Sequence, residues 1–324
     1  ALTGAHRTSR AALRSRKLKN ILHSMCIVLA LLLLMAALGW MVAGSMGLQW
    51  TLFLSVLLLL MSQRISPQLV LRMYQAKALQ SAYLRQALQE LAKRGELEFV
   101  PGLFYVPSQV INAFSVGWGQ NSAIAVTDGM LRGLSRRELI AVLAHELSHI
   151  RNKDLWVLNL ADVFSRVTSS FSFAGLLLLF INLPLLAMEE HSIPWLLILI
   201  LVFAPSISAL LQLALSRSRE FDADMDAAVL SGDPQGLAQA LIKMEKVQQG
   251  IWTRIFFPGY RQRQPSMLRT HPQTQQRVDE LMALEQEGLP WPALHEVISS
   301  TEVLPRGLAQ VLRPPIWRPG RFWF

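Results

Sequence analysis

Two histidines and a glutamate close together in the chain have the types and spacing of a metal centre. His145, Glu146 and His149 lie in the stretch LAHELSHIRNKD. On a helix, positions four apart share one face, so both imidazoles can bind a single zinc ion. Glu146 then lies beside the metal without having to ligate it. Ser135 and Glu138 have the spacing of a capping box, which predicts that this helix begins there. The alternative is two surface histidines on an ordinary helix.

A third ligand is predicted from an acidic cluster further along the chain, because catalytic zinc usually takes three protein ligands and one water. The stretch SREFDADMDAA carries four carboxylates, at Glu220, Asp222, Asp224 and Asp226. Glu220 and Asp224 share one helix face, so Glu220 suits a zinc ligand. Asp224 can then accept a hydrogen bond from a ligand imidazole and fix its tautomer. The alternative is a solvated acidic helix face.

The composition indicates a membrane protein with a soluble portion. Of 324 residues, 52% are hydrophobic and only 16% are charged, and the mean hydropathy is +0.32. The net charge of +9 would also suit a nucleic-acid-binding protein, but the basic residues gather beside apolar segments, where they set topology or meet anionic lipid. We therefore predict a lipid bilayer and no nucleic acid as a partner. The single cysteine, Cys26, excludes an intrachain disulfide and a cysteine-rich zinc site.

Four apolar segments predict four transmembrane helices arranged in two hairpins. They cover residues 21–42, 48–61, 171–188 and 194–215. The last two could instead be buried helices of a large soluble core. Lys and Arg residues cluster on one side of both hairpins, whereas neither turn carries one. By the positive-inside rule, both termini and the histidine-bearing helix are predicted to be cytoplasmic.

The remaining segments predict a soluble part with helices and a small sheet. An amphipathic helix is predicted over residues 75–94, ended by Gly95, and strands are predicted over 103–106, 112–116 and 123–127. Further helices are predicted over 216–230, 234–249 and 272–287. The whole chain is therefore predicted to be a mostly α-helical α+β membrane protein.

Five stretches together resemble the HtpX family of bacterial integral-membrane zinc metalloproteases, which are gluzincins related to the CAAX prenyl proteases. They are INAFSVG (111–117), AVTDGML (125–131), ELIAVLAHELSHIRNKD (138–154), SRSREFDAD (216–224) and THPQTQQRVDEL (270–281). Their order and the placement of the apolar segments are similar too, over residues 21–281. The basic N-terminal extension and the Trp/Arg/Pro-rich tail have no counterpart in the family pattern.

The resemblance implies one catalytic zinc ion per chain, held by His145, His149 and Glu220. Glu146 would be the general base. Zinc lowers the pKa of a bound water to about 7, and this carboxylate would take its proton and pass it to the leaving amine. Asp224 would accept a hydrogen bond from the nitrogen of a ligand imidazole that does not bind the metal.

The resemblance also implies residues that contact the substrate or hold the cleft. Asn112 and Ala113 would lie on an edge strand along which an extended peptide pairs. His271 and Arg277 would lie near the active site, where they would help to stabilise the oxyanion or hold the cleft together. For His271, the alternative interpretation is an ordinary helix-start residue before Pro272.

The family pattern implies a gluzincin-type zinc protease domain that the second hairpin divides into two halves. The predicted parts are a basic N-terminal tail (1–20), a first transmembrane hairpin (21–61), the first half of the cytoplasmic protease domain (62–162), a second hairpin (163–215), the second half of the domain (216–288) and a Pro/Trp/Arg-rich C-terminal tail (289–324). The N-terminal tail is predicted to be disordered.

The implied function is a zinc endopeptidase of the bacterial inner membrane that cuts membrane or misfolded proteins at the cytoplasmic face, in protein quality control. Two other classes stay open. A CAAX-type enzyme would process prenylated proteins, but four spans are few for the membrane chamber that it needs. A non-catalytic metal-binding scaffold would usually close its site with four protein ligands, whereas this pattern offers three and a base. No pattern in the chain predicts an oligomeric state.

Overall fold

The computed structural model describes residues 2–62, 67–187, 194–256, 274–287, 289 and 291–298. These residues are mostly helical, with one small mixed sheet. The apolar segments form a bundle of long helices. The sheet and the histidine-bearing helix belong to a separate, more polar part of the chain.

Among the described residues, three helices are long and apolar enough to cross a membrane. They are Leu18–Leu58 within α1 (Leu2–Ser62), Asp154–Leu185 within α6 (Asp154–Ala187), and α7 (Trp195–Ser231). Their inner faces pack together through Leu31, Phe164 and Leu215. Their outer faces expose large apolar side chains such as Phe53 and Phe180. A surface of this kind is favourable against lipid rather than water.

The first of these helices turns back on itself. Its backbone leaves helical geometry at Ala43 and Gly44, and Gly44 has φ 57° and ψ −139°. Gly39 and Gly47 then approach so closely that a Cβ on Gly39 would lie 2.9 Å from the carbonyl oxygen of Gly47. In an uninterrupted helix these two residues would be about 12 Å apart. α1 therefore consists of two arms, which correspond to the first two predicted apolar segments.

The helices are longer than the sequence predicted. The backbone is helical from Leu2, so the stretch predicted to be a disordered tail continues the first helix. Its residues are mainly Ala, Leu, Arg and Lys, which are strong helix formers. Pro184 and Pro205 lie inside α6 and α7 instead of ending them. Most of the predicted C-terminal tail, residues 299–324, lies outside the described residues.

The sheet has four strands in the order β1-β2-β4-β3. The strands are β1 (Lys77–Ala78), β2 (Gly102–Val106), β3 (Ala113–Val116) and β4 (Ala123–Thr127). β2 and β4 are parallel, whereas the outer pairs β1–β2 and β3–β4 are antiparallel. The three predicted strands are confirmed to within one residue at each end. β1 was not predicted, and it replaces the first turns of the helix expected over residues 75–94.

The two faces of the sheet pack against different helices. The inner face, with Ala113, Ile124 and Val126, belongs to the main core together with α3 (Ala82–Arg94) and α5 (Arg136–Arg151). The outer face, with Val106, Ala123 and Ala125, is covered by Leu71 of α2 (Pro67–Met73). This alternation along each strand follows from the two-residue period of a pleated sheet.

The core around α5 is completed by helices from the second half of the chain. They are α7, α8 (Pro234–Phe256), α9 (Thr274–Glu287) and the short α10 (Leu294–Val297), with α4 (Asp128–Gly133) before α5. α7 runs from the apolar bundle into this core without a break. It therefore carries the acidic stretch of residues 220–226 directly to α5.

Candidate metal centre

α5 holds His145 and His149 on one face of a buried helix. The helix begins at Ser135, whose Oγ accepts a hydrogen bond from the Glu138 N–H at 3.4 Å, while Glu138 Oε2 accepts one from the Ser135 N–H at 2.7 Å. The predicted capping box is therefore confirmed. Because α5 is buried along most of its length, core packing holds the orientation of both histidines.

Glu220 of α7 meets these two histidines. Its Oε2 lies 3.6 Å from His145 Nε2, and its Oε1 lies 3.8 Å from His149 Nε2. The two Nε2 atoms are 3.1 Å apart. All three side chains are nearly buried, being 10% to 12% exposed. The three predicted ligands thus bring their ligand atoms to within 4.8 Å of one another.

The spacing of these atoms fits one tetrahedral zinc ion. Two ligand atoms that each lie about 2.0–2.1 Å from the same zinc ion are about 3.3 Å apart. The observed separations of 3.1, 3.6 and 3.8 Å lie close to that value. Two imidazoles and one carboxylate also form a donor set that suits zinc and leaves one position open. The residues present therefore fit a catalytic zinc ion.

Each of the two imidazoles has a carboxylate behind it. His149 Nδ1 lies 2.9 Å from Asp154 Oδ2, at hydrogen-bonding distance. His145 Nδ1 lies 3.0 Å from Asp224 Oδ1, although the angle of this contact is poor for a hydrogen bond. A carboxylate at Nδ1 favours the tautomer in which Nε2 carries the lone pair that a metal needs. Asp224 therefore lies beside the His145 imidazole.

Each of these carboxylates also contacts an arginine. Arg277 of α9 donates from Nε and Nη2 to Asp224 at 2.5 and 2.6 Å, and its Nη1 lies 3.1 Å from Glu220 Oε2. Arg219 Nη1 lies 3.4 Å from Asp154 Oδ1. The forked guanidinium of Arg277 thereby holds both acids of α7 at once. This residue was predicted to lie near the site.

The site carries a strong negative potential. Burial lowers the pKa of His149, but the hydrogen bond to Asp154 and the surrounding carboxylates outweigh burial and raise this pKa to about 9. Burial likewise lowers the pKa of Arg277, and the Asp224 carboxylate outweighs that effect, so this pKa is raised as well. A place that favours the positive form of two neighbouring side chains suits a divalent cation.

Glu146 lies beside the clustered ligand atoms without belonging to that group. Its side chain is buried on α5, and its position one residue after His145 turns it about 100° around the helix axis. Its charge raises the pKa of both His149 and Arg277. Glu146 is therefore close to the metal position, as a proton acceptor should be.

β3, the predicted substrate strand, lies at the edge of the sheet, paired with β4 and with no other described strand. The Asn112 N–H donates to Thr127 Oγ1, and the Asn112 carbonyl accepts from the Thr127 N–H. In an antiparallel pair, the backbone groups of successive residues point alternately towards and away from the partner strand. Asn112 therefore faces β4, whereas Ala113 and Ser115 present their backbones to the open edge.

His271, which was predicted to lie near the site, lies outside the described residues. Two acids of the stretch of residues 220–226 lie apart from the histidines. Asp222, which does not share the helix face of Glu220 and Asp224, points away from the histidines and accepts a hydrogen bond from Asn20 Nδ2 at 2.7 Å. Asp226 likewise lies elsewhere and accepts from Asn152 Nδ2 at 2.8 Å.

Neither Asp154 nor Arg219 was predicted from the sequence to belong to the site. Asp154 is the first residue of α6 and lies five positions after His149, where a continuous helix would not bring the two side chains together. The chain bends between α5 and α6, and Lys153 has φ 57°. The signal that could have identified Asp154 is its position: it is an acidic residue directly after the bend that follows the second histidine.

The chain is similar to several known proteins. Residues 78–285 match the profile of peptidase family M48. A protease HtpX homolog of Methylibium petroleiphilum is 32% identical over 286 residues, which cover 82% of this chain and 98% of that protein. One from Acaryochloris marina is 36% identical over 268 residues, covering 76% and 88%. The crystal structure of S. mikatae Ste24p aligns with a TM-score of 0.45 and 17% identity, over 82% of this chain and 66% of that one. Because the family profile matches more than half of this chain, and because these relatives are 32% and 36% identical over most of their own lengths, this chain belongs to peptidase family M48, among the HtpX proteases, and is a membrane metalloprotease.

Proposed function

We propose that this protease is a zinc-dependent endopeptidase in which His145, His149 and Glu220 hold one zinc ion per chain. The observation that carries the proposal is the approach of these three ligand atoms to within 4.8 Å at a buried site, with the Glu146 carboxylate beside them. A zinc ion at this position supplies Lewis acidity, which polarises a peptide carbonyl and makes a water molecule more acidic.

The side chains around the ligands then have separate tasks. Glu146 accepts a proton from the attacking water and delivers it to the leaving amine nitrogen. Asp154 and Asp224 hold the ligand imidazoles in the orientation and tautomer that keep each Nε2 available. Arg277 balances the charges of the two α7 acids. With His271, which lies outside the described residues, Arg277 helps to stabilise the oxyanion or hold the cleft together.

The substrate binds as an added strand along β3. The open edge offers the backbone groups of Ala113 and Ser115, and β3 packs directly against α5. Main-chain pairing of this kind is largely independent of the substrate's side chains, which suits an enzyme that acts on many polypeptides. Asn112 contributes by anchoring the start of β3 to Thr127.

We further propose that the two arms of α1, together with α6 and α7, cross the bilayer as two hairpins. The protease domain, residues 62–162 and 216–288, would then lie with both termini on the cytoplasmic face of the bacterial inner membrane. After Cys26→Ser, a cysteine at Met46, in the turn of α1, should react with an impermeant reagent added outside. A cysteine at Val297 should not react. Equal labelling at both positions would contradict this orientation.

Membrane and misfolded proteins are the proposed substrates, in protein quality control. The site adjoins the apolar bundle, because Asp154 begins α6 and Glu220 lies five residues after Leu215, the last buried apolar residue of that part of α7. A polypeptide segment that emerges from the bilayer is therefore close to the ligands. This arrangement favours membrane-anchored chains over freely soluble folded proteins.

A cleavage assay in detergent tests the proposed chemistry. The zinc-loaded protein should cut unfolded casein and a membrane-anchored polypeptide, and Glu146→Gln should lower both rates by at least about 10²-fold. Zinc content should not change, because Gln keeps the size of a residue that is not a ligand. Glu146→Gln activity within a few-fold of wild type would contradict the role of Glu146. Cleavage of a prenylated peptide without cleavage of casein would indicate a CAAX-type enzyme instead.

A further inference from the structure

The outward side of α2 is an exposed apolar surface at one end of the protease domain. Leu71 points inward and packs on the outer face of the sheet. On the opposite side, Leu69 and Met73 lie one turn apart and are 55% and 75% exposed. Side chains of this size are rarely left in water as neighbours without a partner of some kind.

This surface continues onto the turn that follows β3. Pro67 lies against Gly117, where an added Cβ would approach the Pro67 Cγ to 2.7 Å. The next residue, Trp118, is exposed. At the other end of α2, the Tyr74 ring packs on Phe114 with 4.9 Å between ring centroids. We call Leu69, Met73, Tyr74 and Trp118 together the α2 patch.

The chain connection keeps the α2 patch close to the end of the apolar bundle. α1 ends at Ser62, and α2 begins at Pro67 after only four intervening residues. Even fully extended, that length of chain spans about 18 Å. The α2 patch therefore cannot move far from the level at which the second arm of α1 ends.

The charges around the patch complement an anionic surface. The first 89 residues of the chain contain no Asp or Glu. Arg72 lies on α2 and Lys77 on β1, and both are exposed beside the patch. Anionic headgroups attract basic residues near the surface, and Trp and Tyr side chains favour the same layer.

We propose that the α2 patch lies in the headgroup layer of the bilayer, so that the outer end of the sheet rests on lipid. The apolar pair Leu69 and Met73 would reach the boundary of the acyl chains, with Arg72 among the phosphates. This contact is independent of the protease chemistry. If the proposed function also holds, the edge strand β3 ends at the lipid surface, and substrates that emerge from the bilayer reach it without leaving the membrane.

Spin labelling tests the contact directly. Met73→Cys in a Cys26→Ser background is labelled, placed in nanodiscs with anionic lipid, and probed with oxygen and with a water-soluble nickel chelate. Phe53→Cys, in the second arm of α1, is the reference for lipid. Val297→Cys is the reference for water, because its helix lies beside Arg137 at the far end of α5. The label at Met73 should be more accessible to oxygen and less accessible to nickel than that at Val297.

Two results would overturn the proposal. Nickel accessibility equal to that at Val297 would place the patch in water. Protection from both reagents would place it against protein, such as a second copy of this chain. Both results are read without any enzyme activity, so failure of the proposed function would not obscure them.

A paired substrate assay tests the consequence for substrates. Leu69→Glu with Met73→Glu should lower cleavage of a bilayer-anchored substrate by at least about fivefold, because two added negative charges are repelled by anionic headgroups. Cleavage of soluble casein should stay within about twofold of wild type, since the patch is away from the ligands. Ile242→Glu with Val297→Glu is the matched control and should change neither rate. An unchanged ratio of the two rates in the α2 variant would contradict delivery along the lipid surface.

Discussion

Two Arg–Asp–His clusters at opposite ends of α5 have nearly the same geometry, but only one adjoins the proposed zinc position. In the proximal cluster, Arg277 donates to both oxygens of Asp224 at 2.5 and 2.6 Å. His145 Nδ1 lies 3.0 Å from the same carboxylate. The acid thus lies between a guanidinium and an imidazole.

The distal cluster repeats this arrangement with other residues. Arg137 donates to both oxygens of Asp233, again at 2.5 and 2.6 Å, and His295 Nδ1 lies 3.2 Å from Asp233 Oδ2. Arg137 also donates to Gln235 Oε1 at 2.8 Å. These contacts join the start of α5 to α8 and to the short C-terminal helix α10.

The two clusters differ in what surrounds Nε2 of each imidazole, the ring nitrogen that does not face the aspartate. In the distal cluster, His295 Nε2 lies 4.0 Å from Glu296, whose side chain is 71% exposed. In the proximal cluster, His145 Nε2 meets a second imidazole and a nearly buried carboxylate. An Arg–Asp–His arrangement therefore serves as support for an imidazole. A metal site also needs several ligand atoms that meet at one point shielded from water.

The largest expected difference is in zinc content. His145→Ala should reduce bound zinc from one per chain to almost none and abolish casein cleavage, because the remaining two ligands bind zinc weakly. His295→Ala removes the corresponding histidine of the distal cluster and should keep both zinc and activity. Elemental analysis of the purified proteins checks this. Full zinc content in His145→Ala would exclude the proposed ligand set.

The second difference is in stability, through the two arginines. Arg277→Gln leaves the buried Asp224 carboxylate without its guanidinium partner and should cost about 3–5 kcal/mol of unfolding free energy. Arg137→Gln should cost less, about 1–2 kcal/mol, because that side chain is partly exposed and water can replace some of its contacts. Thermal unfolding in detergent compares them. Equal losses would mean that burial does not distinguish the clusters.

The third difference is in metal affinity, through the two aspartates. Asp224→Asn should weaken zinc binding about 10–100-fold, as for other residues that support a ligand imidazole. Asp233→Asn should leave zinc affinity unchanged, although it disturbs an equally close Arg–Asp pair. Competition with a chelator measures the affinity, and the visible spectrum after cobalt substitution reports the ligand geometry. A similar loss in both variants would point to general destabilisation.

The smallest expected effect concerns Asp154, the carboxylate beside the second ligand histidine. Asp154→Asn should weaken zinc binding about tenfold, at the lower end of that range, since Asn can still contact His149. Asp162→Asn is the matched control, because Asp162, like Asp154, lies on α6 and pairs with an arginine, but its side chain is exposed. Chelator competition should show no change in the control. Unchanged zinc affinity in Asp154→Asn would mean that Asp154 contributes to packing but not to metal binding.

Features that depend on neighbours along the chain were predicted well. The capping box of Ser135 and Glu138 joins residues three apart, and the strand over residues 123–127 follows from its run of Ala, Ile and Val. The histidines of α5 share a face because helix geometry alone sets a four-residue spacing. In each case the contact that forms the structure is local.

Features that depend on distant partners were predicted poorly. The helix expected over residues 75–94 begins only after Ser81, because Lys77 and Ala78 pair with Tyr105 and Phe104 of β2. No residue pattern within that stretch identifies β2 as its partner strand. The contact of Asp154 with His149 was missed for a related reason, since it requires the bend between α5 and α6.

From the sequence alone we could infer which side chains can bind a metal and which helix face each one occupies, because those properties depend on residue type and on helix period. Three further features depend on the packing of the folded chain: Glu220 meets both histidines, Arg277 reaches the same acids, and a separate carboxylate lies beside each imidazole. Those contacts join residues far apart in the chain, and the packing of α5 against α6 and α7, and of α9 against α7, brings them together in space.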